Sequence, residues 1–293
     1  MFPILPANSV TAASGNENGI FAYGAYGAKS MSNIVSNVGV VSSDISGVGS
    51  ARWGVGACEY GEDKGIFGYG YIAPSAVSMT NHVANTGVVS SDVSGVGTGK
   101  QNVQGCGFGG DKGMFGWGGT GVPYTNIVSN TGVVAADVSG SGTARSCAAC
   151  EFGGDQGIFG YGSAAAGYMN ETNLVSNTGV MGSDVTGVGT ARNSLAACSF
   201  GGDQGIFGFG DATGAVSITN LVSNTGVVSS DVTGVGTARV YLAACEFGPG
   251  QGIFAYGQST LNMSNLVSNT GVVTSDEAGV GTGRYYFHAC SFN

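Results

Sequence analysis

Gly-Gly-Asp-Gln-Gly-Ile-Phe-Gly-Tyr-Gly at residues 153–162, and the near-copy Gly-Gly-Asp-Gln-Gly-Ile-Phe-Gly-Phe-Gly at 201–210, decide how this chain folds. Each reads as a turn followed by a short strand. Glycine and Asp tolerate the positive φ of a tight hairpin. The run that follows mixes aromatic and small residues without helical spacing. Related runs begin at Gly19, Gly65, Gly113 and Gly252. Three more landmarks recur six times in the same order. One is Thr-Asn-Leu-Val-Ser-Asn, as at 172–177, with relatives at Ser32, Thr80, Thr125, Thr219 and Ser264. The next is Gly-Val-Val-Ser-Ser-Asp, ending at Asp44, Asp92, Asp137, Asp184, Asp231 and Asp276. The last is Leu-Ala-Ala-Cys-Glu-Phe, with its cysteine at Cys58, Cys106, Cys150, Cys198, Cys245 and Cys290. Cys58 and Cys290 lie 232 residues apart over five intervals, a mean period of about 46.

Each landmark is five to seven residues long, rich in β-branched or aromatic side chains and bounded by Gly, Asn or Asp, which is the signature of a strand. Four antiparallel strands (a, cysteine run; b, aromatic run; c, Thr-Asn run; d, Gly-Val-Val run) per 40–50 residues predict the blade of a β-propeller. The fold class expected is all-β: a six-bladed propeller with four antiparallel strands per blade. The first recognisable strand is b, at Gly19 to Gly24, and the last is a, at Phe287 to Phe292. One blade is therefore expected to combine N-terminal strands b, c and d with C-terminal strand a, so that pairing of the two ends latches the ring. Residues 1–18 form an N-terminal extension in this reading, and 19–293 the propeller.

Composition bounds the function. Glycine supplies 56 of 293 residues, yet 42% are hydrophobic and only 9% charged, which favours a folded core over disorder. A net charge of −9 with nine Lys and Arg argues against nucleic acid. No stretch approaches the length of a membrane-spanning helix. The Met1–Pro6 segment lacks the basic region of a secretory signal, so assembly in a cytoplasm is expected.

Repeated residues have structural and functional readings. Phe67 and Tyr69 are expected on one face of their strand, with Ile66 and Gly68 on the other. The equivalent rings Tyr23, Tyr69, Trp117, Tyr161, Phe209 and Tyr256 either pack between blades or form repeated sugar-stacking platforms. The six equivalent cysteines are small buried groups, a thiol ring lining a channel, or sites of cross-linking; Cys147 is extra. Asp and a basic residue recur eight apart around the d-to-a connection. The pairs are Asp44/Arg52, Asp92/Lys100, Asp137/Arg145, Asp184/Arg192, Asp231/Arg239 and Asp276/Arg284. We read them as a structural clasp in which a turn brings the basic side chain back toward the Asp or a neighbouring blade. One carboxylate per loop is poor calcium ligation. The two histidines, His82 and His288, sit in non-equivalent strands, so no catalytic constellation, metal site or cofactor is expected.

The repeat breaks between strands b and c, where linkers run from six to nine residues. In an up-and-down blade these loops share a face with the d-to-a connections. Trp53, Tyr71, Tyr124, Tyr168, Tyr241, Tyr285 and Tyr286 mark that face as the candidate recognition surface.

Taken together, Gly-Gly-Asp-Gln-Gly-Ile-Phe-Gly-Tyr-Gly, Thr-Asn-Leu-Val-Ser-Asn-Thr-Gly-Val and Gly-Val-Gly-Thr-Ala-Arg resemble a repeat family of bacteriophage and environmental-virus sequences. The blade length is similar to that of kelch-like propellers, although the kelch Gly-Gly and spaced Tyr/Trp pattern is not met. The resemblance, over residues 19–293, implies a virion-associated structural or adhesive protein of a tail, fibre or capsid decoration. Its partners would be other virion proteins or surface glycans, without nucleic acid or membrane insertion. A soluble glycan-binding propeller with repeated sites is the alternative.

Overall fold

The computed structural model describes residues 17–25, 27–119, 121–258 and 261–292; most of the N-terminal extension and Asn293 lie outside them. The described residues are all-β. In chain order the strands are β1 (Asn18–Ala22), β2 (Ser32–Val35), β3 (Gly56–Tyr60), β4 (Lys64–Gly68), β5 (Tyr71–Ile72), β6 (Ser75–Ala76) and β7 (Thr80–Val83). There follow β8 (Gln104–Phe108), β9 (Lys112–Gly116), β10 (Tyr124–Val128), β11 (Val138–Ser139), β12 (Ser146–Phe152), β13 (Gln156–Ala164) and β14 (Gly167–Val175). The last are β15 (Ala196–Phe200), β16 (Gln204–Gly208), β17 (Thr219–Val222), β18 (Ala243–Phe247), β19 (Gln251–Gly257), β20 (Leu261–Val267) and β21 (His288–Phe292).

These strands make antiparallel sheets of two to four strands. Sheet I is β21–β1–β2, II is β3–β4–β7, III is β8–β9–β10–β11, IV is β12–β13–β14, V is β15–β16–β17 and VI is β18–β19–β20; β5 and β6 form a small hairpin. Sheet I joins the two ends of the chain: Asn18 faces Phe292 and Ala22 faces His288. The leading strands also touch in order, β3 with β8, then β12, β15, β18 and β21, and β21 with β3.

The expected fourth strand is mostly reduced to isolated bridges, such as Val35 with Val41 and Ser32 with Ile45; among the described residues, sheet III alone gains a two-residue fourth strand. Side chains explain the difference. Ser42 Oγ accepts the Ile34 N–H at 2.9 Å, and Asn33 Nδ2 donates to both Ser42 O and Asp44 Oδ1. Side-chain bonds thus replace part of the backbone ladder.

Each sheet packs face to face on the next. Its strand-b ring meets a phenylalanine of the following sheet, as Tyr69 meets Phe115 with centroids 5.3 Å apart. Phe21 of sheet I meets Tyr256 of sheet VI in the same way, at 5.5 Å. This corrects the expectation that Phe67 and Tyr69 share a face. Phe67 packs backward on Tyr23, whereas Tyr69 packs forward. The cause is backbone: Tyr69 has φ 63°, in the left-handed region, which breaks the two-residue alternation. All six strand-b rings are buried, so none is a sugar platform. The cysteines fill the remaining gaps. A Cβ placed on Gly113 would lie 2.4 Å from Cys58 Sγ, and one on Gly65 2.6 Å from Cys290 Sγ. All seven thiols are free and buried.

Candidate binding site at an aromatic mouth

The basic clasps position the loops above the sheets. Arg192 leads into sheet V fully buried, its Cζ 4.3 Å from the centroid of Tyr161 in sheet IV. Its Nε donates to Phe209 O, Nη1 to Thr190 O and Nη2 to Asn220 Oδ1, at 2.8, 3.1 and 2.8 Å. Asp231 accepts from the N–H and hydroxyl of Thr190 and from Asn220 Nδ2. The charges therefore do not pair eight residues apart. Each basic residue works with the Asp at the far end of the sheet it enters: Arg52 with Asp92, Arg145 with Asp184, Arg239 with Asp276. Arg192 likewise faces Asp231, and Lys100 faces Asp137. Arg284 faces Asp44, whose carboxylate accepts from Thr282 across the chain ends. The d-to-a segment crosses between sheets, so its two charges serve different sheets. Both Asp92 oxygens are taken by Ser50, with Asn81 adding a bond to one.

The fully buried Asn33, Asn81, Asn126, Asn173, Asn220 and Asn265 link Asp to base in most sheets and were missed in the sequence; their signal was the fixed Asn of the Thr-Asn run. Lys100 fills the same place with two hydrogen bonds, to Tyr124 O and Asn126 Oδ1, and burial pushes its ammonium down to about 8. The fold thus already accepts lysine once. Arg192→Lys should cost about 1–2 kcal/mol, one lost charge-assisted bond and part of the ring stacking. Chemical denaturation of the variant checks this value.

These clasps hold the d-to-a segments beside the b-to-c loops, with Trp53 bridged to Tyr71 and Asn193 to Asp211. Five of the predicted face residues form one strip. Tyr71 lies 5.0 Å from Trp53, Trp53 5.4 Å from Tyr286, and Tyr286 4.2 Å from Tyr241; Tyr285 touches both tyrosines. Tyr241 and Tyr286 hold left-handed backbones at φ 58° and 53°, a conformation a bulky residue adopts at a cost of about 1–3 kcal/mol. Burial and the Tyr241 hydroxyl both push the Tyr286 phenol up, so it stays protonated. Tyr124 and Tyr168 are outside the ring-to-ring contacts of the strip: Tyr124 opens β10, and the exposed Tyr168 donates its hydroxyl to Asp211 at 2.7 Å.

The strip borders a cavity of ≈70 Å³ between the leading strands of all six sheets. Polar residues take the equivalent positions in the sheets flanking the strip, Gln101 and Asn102 before β8 and Asn193 and Ser194 before β15; Ser194 O accepts the Tyr241 N–H at 2.8 Å. The Gln101, Asn102 and Asn193 side-chain oxygens accept no hydrogen bond within the described protein. At the cavity wall His288 Nε2 lies 2.8 Å from Gln104 Oε1, spanning Gly56 of the intervening strand. Burial lowers His288 to about 4, so it is neutral, with Nδ1 3.1 Å from Ala289 O on its other side.

Deeper along the same strands, the residues after the six cysteines are Glu59, Gly107, Glu151, Ser199, Glu246 and Ser291. Glutamate alternates with a small residue because neighbours share the space: a Cβ on Gly107 would sit 2.2 Å from Glu151 Oε2. The three carboxyls line one cavity. Burial raises Glu151 and Glu246 to about 8, assisted by Glu59 and by further acidic neighbours. This alternation also went unread in the sequence, since it emerges only when the repeats are aligned strand by strand.

No family model matches the chain, and no characterised protein matches it.

Proposed function

We propose that the chain closes into a six-bladed β-propeller that acts as a non-enzymatic binding module through its aromatic mouth. Closure is supported by the β21–β1 pairing, by the contacts of β21 with β18 and β3, and by Thr282 bonding to Asp44. The cavities lined by all six leading strands fit the same ring. The observation that carries the functional reading is asymmetry. Repeated aromatic, basic and sulfur-bearing side chains are consumed in packing, whereas the Tyr71–Trp53–Tyr286–Tyr241 strip occurs once, over sheets VI, I and II. A one-sided site of this kind favours a single recognition surface over a lectin with repeated sites.

A structural or adhesive role in an assembled particle, a virion as the resembled sequences imply, suits the outer edge. There the first valine of each Gly-Val-Val run, such as Val180 at 66% exposure, remains uncovered. Fluorescently labelled protein should adsorb to microbial cells, and Trp53→Ala/Tyr241→Ala should reduce adsorption at least tenfold. Equal adsorption by both proteins would place the binding surface elsewhere.

A further inference from the structure

We propose that the mouth is a single carbohydrate site that takes the terminal pyranose of a neutral glycan, an inference resting on the binding-face reading above. The mouth is divided in chemistry. Sheets VI, I and II supply Tyr241, Tyr286 and Trp53, while sheets III and V supply Asn102 and Ser194. A pyranose is divided in the same way, with a C–H face that stacks on aromatic rings and hydroxyls that need amide and hydroxyl partners. Tyr and Trp also give large contact area at little conformational cost.

Charge decides between ligand classes. The described lining of the mouth holds no Asp, Glu, Lys or Arg, and His288 is neutral and tied to Gln104. An anionic or cationic ligand would shed water there without a counter-charge. A neutral ligand meets no such cost. Size decides the pose. At ≈70 Å³ the cavity is well under the roughly 300 Å³ of a site that engulfs its ligand. It admits one small substituent, such as a hydroxymethyl group, while the sugar ring lies on the strip. Because the six leading strands surround the cavity, it receives the end of a chain. An extended proline-rich peptide, which also favours Tyr and Trp, needs an open groove instead.

Trp53 reports directly on occupancy, because the second tryptophan, Trp117, is buried beneath Arg145. The test titrates the full chain with methyl hexopyranosides, N-acetylglucosamine, N-acetylneuraminic acid and a proline-rich peptide. Fluorescence and calorimetry follow binding, and a glycan array extends the neutral set. At least one neutral sugar should bind, with a dissociation constant in the millimolar range for a monosaccharide. Tyr241→Ala and Asn102→Ala should each weaken it at least tenfold with folding intact by circular dichroism, while Lys112→Ala, at the β8–β9 turn away from the mouth, leaves it unchanged. Preference for the acidic sugar or the peptide, wild-type affinity in Tyr241→Ala, or no neutral glycan bound on the array would each overturn the proposal. Cell adsorption separates the two readings. If Trp53→Ala/Tyr241→Ala abolishes adsorption yet no saccharide binds, the face stands and the carbohydrate falls; if adsorption is untouched, both fall.

Discussion

Truncation after Tyr286 is expected to leave a chain that does not fold, with near-ultraviolet circular dichroism lost and no cooperative melt. The deletion is short, yet it removes all of β21, the leading strand of sheet I. Phe287, Ala289, Cys290 and Phe292 are all buried. The two phenylalanines alone carry about 3–5 kcal/mol each by the cost of cutting such a ring to alanine. Losing the ladder to β1 from Asn18 to Ala22 adds to that. The total, on the order of 10 kcal/mol, equals the whole stability of a typical domain at about 5–15 kcal/mol.

The distribution of damage matters as much as its size. β21 also touches β18 and β3, so in a ring its loss uncovers sheets VI and II together. In an open stack of sheets, removing an end strand would loosen one flank only. Hydrogen exchange on any residual folded population should therefore show lost protection in both β3 and β18. A truncated chain that melts at the full-length temperature would sink the ring.

That latch was legible because it depends on order along the chain: strand b comes first and strand a last. Strand positions were legible for the same reason, since turns and β-branched runs are local. What escaped the sequence is non-local or conformational. Composition gives no warning that Tyr69, a bulky residue, takes a left-handed backbone and turns its ring to the opposite face. The clasp was visible as recurring charges, but its pairing depends on the d-to-a segment crossing between sheets, so Arg52 meets Asp92 instead of Asp44. Aromatic residues on the variable loops were nameable one by one. Their assembly into a strip required knowing that sheets VI, I and II are neighbours, which joins Tyr241 to Trp53 across most of the chain length.

The three inner glutamates should make the protein progressively less stable as pH rises. An ordinary glutamate titrates near 4.5, whereas Glu151 and Glu246 are held up at about 8 by burial and by Glu59. Glu59 is raised too by burial, although Ser291 hydrogen bonds oppose this. In the folded state the protonated forms are preferred. Their contribution is complete below pH 4.5, declines as the unfolded chain ionises, and is gone once pH passes about 8. Each pH unit separating the folded and unfolded titrations corresponds to about 1.4 kcal/mol. Taken in full, either residue would contribute about 5 kcal/mol; both keep some exposure to water, so roughly 5 kcal/mol for the two together is expected. Glu151→Gln/Glu246→Gln keeps the shape and hydrogen-bonding capacity while removing the charge. It should match wild type near pH 4.5 and exceed it in melting temperature by some 10–20 °C at pH 8.5, at about 2–4 °C per kcal/mol. His288, lowered to about 4, and Lys100, lowered to about 8, act on stability in the opposite sense, but they are common to both proteins and cancel in the difference. Melting curves of the pair from pH 4.5 to 9 give that difference directly. If the two proteins track each other across the range, the carboxyls are not crowded against one another, and the alternation of glutamate with glycine and serine has some cause other than space and charge.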